Sequence, residues 1–286
     1  MHKPIFDELE CSYKTNPISE YNKIIKILNK DFCNFLKLDF TGSSIYSLKE
    51  LFSEAFKKSE ILSTHYVDFE NCLSEITTNI NKNINNNFDN LAVDIKDKLF
   101  DEYFNFCEII FHMISIVDCQ FNESEKDEIE WDQDLINQIN GMINNALKSM
   151  NYKIIKTESN IFNVIKIDLN AEIVAAQSDK SIKETILLYL ATRDNKIEDK
   201  KSYLLKLINL LEPVFKQYNN EPISSVKEYA QLLRHPVMKK TENKYKWFYE
   251  NECEYLDKLF SMCLFVQHYA ITKNTLKDFN QRKNNI

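Results

Sequence analysis

Residues 181–236 read SIKETILLYLATRDNKIEDKKSYLLKLINLLEPVFKQYNNEPISSVKEYAQLLRHP, and this stretch decides the fold class. It holds three of the chain's five prolines, at 213, 222 and 236, and two of its three arginines, Arg193 and Arg234. Ser181 and Glu184 have the spacing of a capping box, in which side chain and backbone exchange hydrogen bonds at a helix start. Ile182, Ile186, Leu187 and Leu190 then recur with helical period. Asn195 is the expected cap of a second helix, with Glu198 and Asp199 in its first turn, where the helix dipole favours anions. Leu204, Leu207, Ile208 and Leu211 form its apolar stripe, and Glu212-Pro213 marks a break or kink, because the residue before proline is pushed out of the α region. Ser225 and Glu228 predict a second capping box ahead of Val226, Tyr229, Leu232 and Leu233. That helix stops at Arg234-His235-Pro236. Two antiparallel helices and a shorter third are the simplest arrangement.

Composition agrees with a helical fold. The 286 residues contain only two glycines, Gly42 and Gly141. A doubly wound sheet or an all-β barrel needs many more turn glycines. Neither a G-x-G-x-x-G fingerprint nor a P-loop is present, which removes the nucleotide-dependent enzymes built on those loops. The net charge of −7 argues against a generally basic, nucleic-acid-binding surface, although a local basic patch stays open. Of 36 basic residues only three are arginine. With the abundance of Asn and Ile, that bias points to an AT-rich bacterial or phage genome. The seven cysteines are scattered and lack a C-x-x-C, so free thiols in a reducing cytoplasm are expected. The polar start of the chain predicts no signal peptide, and no apolar run approaches the ~20 residues of a membrane span.

Outward from the central stretch, helices are predicted over about 19–36, 47–56, 66–80, 88–117, 134–150 and 248–271. Residues 41–44 are expected to be a loop, the asparagine tract 79–87 a loop or frayed end, and 273–286 a fraying tail. The acidic segment 122–134 is the predicted domain boundary, dividing the chain near residue 125. The one β signal is Tyr152–Lys156 with Phe162–Ile167, a small hairpin that must lie against helices to persist. The expected fold is therefore all-α: a multi-helix bundle in two lobes with one hairpin.

The order of helix, hairpin, K-I-E-D-K-K-S-Y-L-L-K-L-I-N-L-L-E-P, then L-L-R-H-P, K-Y-K-W-F-Y and a closing amphipathic helix carries a resemblance. Over about residues 135–271 it resembles a family of bacterial helical proteins similar to abortive-infection (phage-exclusion) proteins with a HEPN-like C-terminal domain. The resemblance does not reach residues 1–125. It implies a HEPN-like scaffold and a role in antiviral defence. The ribonucleases of that superfamily carry Arg and His on one helix with four to six residues between them. Arg193, Arg234 and Arg282 have no His at that spacing, so the nuclease motif does not carry over.

Four groups of residues are candidates. Arg234 and His235 could meet a phosphate and transfer a proton, but neighbours on a helix point about 100° apart, and cations at a helix end also cap carbonyls. Tyr245 and Trp247, with Phe248 and Tyr249, lie among Lys239, Lys240, Lys244 and Lys246. Such a mixture can stack on bases and meet phosphates, or anchor a core with solvated lysines around it. Glu108 and His112, at i and i+4, could present two metal ligands or serve the core. The series Asp94, Asp97, Asp101 and Glu102 could hold metals, but interleaved lysines read better as a solvated helix face. No cofactor and no metal is expected. The leading expectation is a non-catalytic sensor or interaction module of an anti-phage system, with a protein partner or a second copy. The alternatives are a ribonuclease-like toxin acting through Arg234 and His235, with RNA as partner, and a structural partner subunit.

Overall fold

The computed structural model describes residues 15–29, 35–39, 42–82, 88–123, 129–130, 133–157, 161–218, 221–235 and 245–284. The all-α class holds: helices dominate, and the hairpin forms at 152–156 and 162–166. The chain divides into two compact units, Met1–Val164 and Ile165–Ile286. That border falls within the second hairpin strand, later than the division expected near residue 125.

In the first unit, α1 (Pro17–Leu28), α2 (Leu48–Lys57), α3 (Glu60–Ser63), α4 (Phe69–Asn81), α5 (Val93–Glu123) and α6 (Gln133–Ser149) surround one core. Pro17 opens α1 behind the Asn16 cap, where proline's missing N–H costs nothing. Ser47 and Glu50 form a capping box in both directions, with bonds of 3.2 and 2.6 Å. Helix α5 is the pillar: Leu99, Tyr103, Phe106, Cys107, Ile110 and Met113 are buried, and α1, α2, α4 and α6 pack around it. Because α6 packs on α1 and α5, it belongs with the first unit. Its end is closed by Asn151, whose φ of 65° is the left-handed conformation that asparagine tolerates after a helix.

Two expectations fail here. Helix α1 ends at Leu28; Phe35 and Leu36, expected to continue it, open β1 (Phe35–Asp39), and residues 42–44, expected to be loop, belong to β2 (Gly42–Tyr46), paired antiparallel with β1 from Phe35↔Tyr46 to Asp39↔Gly42. Strand β3 (Ile129–Glu130), inside the acidic segment, pairs with β1. The alternation in FLKLD fits a strand, and the pairing supplies hydrogen bonds that an isolated extended segment lacks. The hairpin β4 (Tyr152–Lys156) and β5 (Phe162–Lys166) is the other sheet.

The second unit contains α7 (Leu169–Gln177), α8 (Lys180–Ala191), α9 (Ile197–Leu210), α10 (Glu212–Gln217), α11 (Glu221–Arg234), α12 (Lys246–Glu250) and α13 (Glu252–Asn284). The buried row Leu204, Leu207, Ile208 and Leu211 is the predicted one. The break expected at Glu212-Pro213 falls at Leu211, and Pro213 then stands in the first turn of α10. Both predicted caps at Ser181 and Ser225 are displaced. Asp179 caps α8, accepting from the Ile182 amide at 3.0 Å, since a carboxylate two residues upstream meets the helix dipole with a full charge. Helix α11 already begins at Glu221, with Pro222 in its first turn. At α9 the N-cap position is Lys196, not Asn195. Residues 273–284, expected to fray, continue α13 as helix. Among the described residues no helix is long and apolar enough to cross a membrane.

Candidate functional site

The end of α9 and the start of α10 read L-I-N-L-L-E-P, and Asn209 and Glu212, three residues apart, share a face. Arg234, at the end of α11, reaches that face. Its Nη2 donates to Glu212 Oε1 at 2.5 Å and to Asn209 Oδ1 at 3.0 Å. Arg234 is thus the clasp between α11 and the α9–α10 junction. His235 is exposed beyond the helix end, and its backbone N–H closes the last turn on Gln231. The two side chains are not brought to one reacting point.

The aromatic segment divides. Tyr245 is buried and donates to Glu228 at 3.0 Å, and Phe248 is buried beside it. The Tyr249 hydroxyl donates to the Leu232 carbonyl of α11 at 2.9 Å. Tyr245 and Tyr249 thus tie this segment to α11, while the Phe248 ring lies 6.0 Å from Tyr255 of α13. Trp247 differs: it is 36% exposed, with ring centroids of Tyr255 and Tyr229 at 4.4 and 6.2 Å in edge-on geometry. Lys246 pairs loosely with Glu250 at 3.5 Å on the same helix. Lys258 lies over the Tyr255 ring at 4.4 Å. Lys239, Lys240 and Lys244 fall outside the described residues. The surface that is described is an aromatic edge, Trp247–Tyr255–Tyr229, bordered by lysines.

One densely bonded group among the described residues is absent from the candidates. Lys200, from K-I-E-D-K-K, is 4% exposed. Its ammonium donates to Asp194 at 2.5 Å and to Asp257 of α13 at 2.9 Å. Tyr189 of α8 donates to the same Asp257 oxygen at 2.7 Å, stacks on Phe260 at 4.0 Å, and offers its ring to Lys200 at 5.4 Å. Burial works against the charge of Lys200, but the hydrogen bonds and charges of Asp194 and Asp257 outweigh it and hold its pKa above the usual lysine value. The group is therefore an ammonium at neutral pH, with no lone pair for nucleophilic or Schiff-base chemistry. Cys253, whose Sγ is 3.8 Å from the Asp194 carbonyl, is pushed up by burial and stays a thiol. This network ties α8, α9 and α13 together; it does not activate a nucleophile. A buried lysine with two carboxylates was detectable only as the I-E-D-K-K motif, because Asp257 lies 57 residues away and Asp194 sits in the loop ahead of α9.

In the first unit, Glu108 accepts from the Val164 amide at 2.7 Å, and His112 meets Ser59 at 3.0 Å. They turn to separate partners rather than to one ion. Burial, and then the charge of Lys156, lowers the His112 pKa, so the ring is neutral at pH 7. In the carboxylate series, Asp94 and Asp97 are on or near the surface, whereas Glu102 accepts from Asn79 at 3.1 Å. Glu102 borders a shallow cavity of about 240 Å³ with Asn79, Lys82, Lys98 and Leu99.

Compared with protein-family models, curated proteins and solved structures, the chain matches none.

Proposed function

We propose that this chain is an interaction module of a bacterial anti-phage system, acting by binding a protein partner rather than by catalysis. The observation that carries the non-catalytic part is the commitment of Arg234 to Glu212 and Asn209. The guanidinium that a ribonuclease reading would aim at a phosphate spends its Nη2 on Glu212 and Asn209, and His235 stands beside it without a shared target. The motif residues K-K, L-E-P and R-H serve helix packing through Lys200, Glu212 and Arg234. The defence role rests on the resemblance over residues 135–271. Trp247 with Tyr229 and Tyr255 is the described surface best suited to a partner, because large, stiff aromatic side chains concentrate binding energy at protein interfaces.

The test is a phage challenge of bacteria expressing the chain. Wild type and His235→Gln should protect equally. Trp247→Ala should lose protection while its thermal melt stays within a few degrees of wild type. Loss of protection in His235→Gln alone, with an unchanged melt, would overturn the non-catalytic reading in favour of the ribonuclease-like one. Failure of the wild type against every phage tried would overturn the defence assignment.

A further inference from the structure

Helices α4 and α5 pack together in the first unit, and the polar residues between them do not all close on one another. Asn79 is fixed from two sides. Its Nδ2 donates to Glu102 Oε1 at 3.1 Å, and its Oδ1 accepts from Lys82 Nζ at 3.3 Å. Lys98 and Glu102 stand one turn apart on α5, and Leu99 beside them is buried. Among the described residues the Lys98 ammonium has no ion-pair partner, and Glu102 takes a single side-chain hydrogen bond. The cavity of about 240 Å³ lies between these groups, lined by Asn79, Lys82, Lys98, Leu99 and Glu102.

The charges of the lining select the occupant. A simple cation would meet two lysines, and a simple dianion would meet Glu102. Burial raises the Glu102 pKa; the Asn79 bond works against this, Glu75 and Asp101 add to it, and Lys82 opposes it. An incoming ammonium offsets the cost of holding that carboxylate ionised. Lys82 spends one proton on a long bond to Asn79 and has two more to donate, and Lys98 has all three. A molecule with two carboxylates and one ammonium therefore meets an opposite charge at every group. The volume is below the about 300–1,000 Å³ of sites for drug-sized ligands, which suits a free amino acid.

We infer that this cavity binds a free acidic amino acid, with Lys82 and Lys98 at its two carboxylates and Glu102 at its ammonium. Asn79 is the positioning residue, since it holds Glu102 and Lys82 in place. The inference is independent of the proposed function. The cavity is shallow and its lysines are exposed, so binding is weak, with a dissociation constant of roughly 1 mM.

Two-dimensional NMR of the full chain at constant ionic strength tests this. L-glutamate or L-aspartate, from about 0.1 to about 20 mM, should shift amide resonances saturably, most of all at residues 79–82 and 98–102. Glutarate, which has both carboxylates and no ammonium, should bind about fivefold more weakly than L-glutamate. Lys98→Gln should weaken L-glutamate about fivefold. Glu102→Gln still accepts from Asn79 but should bind L-glutamate and glutarate equally. Both variants should keep the wild-type circular dichroism and thermal melt. Lys23→Gln, on α1, should bind as wild type does. No saturable shift with either amino acid, equal binding of glutarate and L-glutamate by wild type, an unchanged affinity in Lys98→Gln, or the same loss in Lys23→Gln would overturn the inference.

Discussion

Lys200→Met, compared with removal of its two partners, tests the network that ties the second unit together. The ammonium is 4% exposed, whereas the side chains of Asp194 and Asp257 are 67% and 46% exposed. The two ends of the ion pairs therefore differ in what they lose. Methionine retains the apolar stem, and the freed carboxylates hydrate where they stand, so Lys200→Met should stay within about 1 kcal/mol of wild type. Replacing both carboxylates by Asn leaves the buried ammonium with neutral acceptors only. The cost should be about 2–4 kcal/mol, somewhat under the ~3–5 kcal/mol of a fully stranded buried charge. Adding Lys200→Met to the double Asn variant should recover most of that loss. Urea midpoints at pH 7 with an unchanged m value would measure each corner of the cycle. Because the folded-state pKa of Lys200 is raised, its contribution is present below the ordinary value of 10.5 and lost as pH rises through the folded value. Wild type should accordingly lose stability above about pH 10.5, a part of which Lys200→Met does not show. A Lys200→Met variant less stable than the double Asn variant would refute this account of the network.

His112 has a lowered pKa, so its contribution is complete above the ordinary value of 6.5 and lost as pH falls through the folded value. His112→Gln retains a bonding group toward Ser59 and should flatten the decline in urea midpoint between about pH 6.5 and 4; an identical decline would place the acid sensitivity elsewhere. Gly141 lies inside α6, and a Cβ there meets nothing within 4 Å. Gly141→Ala should therefore stabilise the protein by about 0.5–1 kcal/mol, through the lower entropy of the unfolded chain. A destabilised variant would show that the α6 surface is covered.

The fold was legible wherever burial had helical period. The apolar row of α9 is the row read from sequence, α5, α6 and the first half of α13 overlap the helices expected over 88–117, 134–150 and 248–271, and the β4–β5 hairpin stands where its β-branched residues put it. The misreadings have local causes. Phe32, Phe35 and Leu36 match the period of α1, but FLKLD alternates equally well, and pairing with β2 and β3 decides in favour of strand. The Ser225–Glu228 spacing mimics a capping box within a helix that starts earlier, and Glu228 spends its carboxylate on Tyr245. The end of α13 looked like a tail because residues 273–284 are mostly polar. The candidate site was legible in part. Arg234 was read as a cation for a phosphate or for helix-end carbonyls, whereas its acceptors Asn209 and Glu212 are reached only through folding. Lys200 escaped attention as a site because both of its carboxylates come from other elements.

The central claim is that Arg234 is an internal clasp and that the chain works by binding. RNA integrity tests it most directly. Purified full-length chain should be incubated with total bacterial RNA and compared with His235→Gln and with buffer alone. The account predicts that RNA treated with wild type, with His235→Gln and with buffer is equally intact. Cleavage by wild type that disappears in His235→Gln, with folding unchanged, would contradict it.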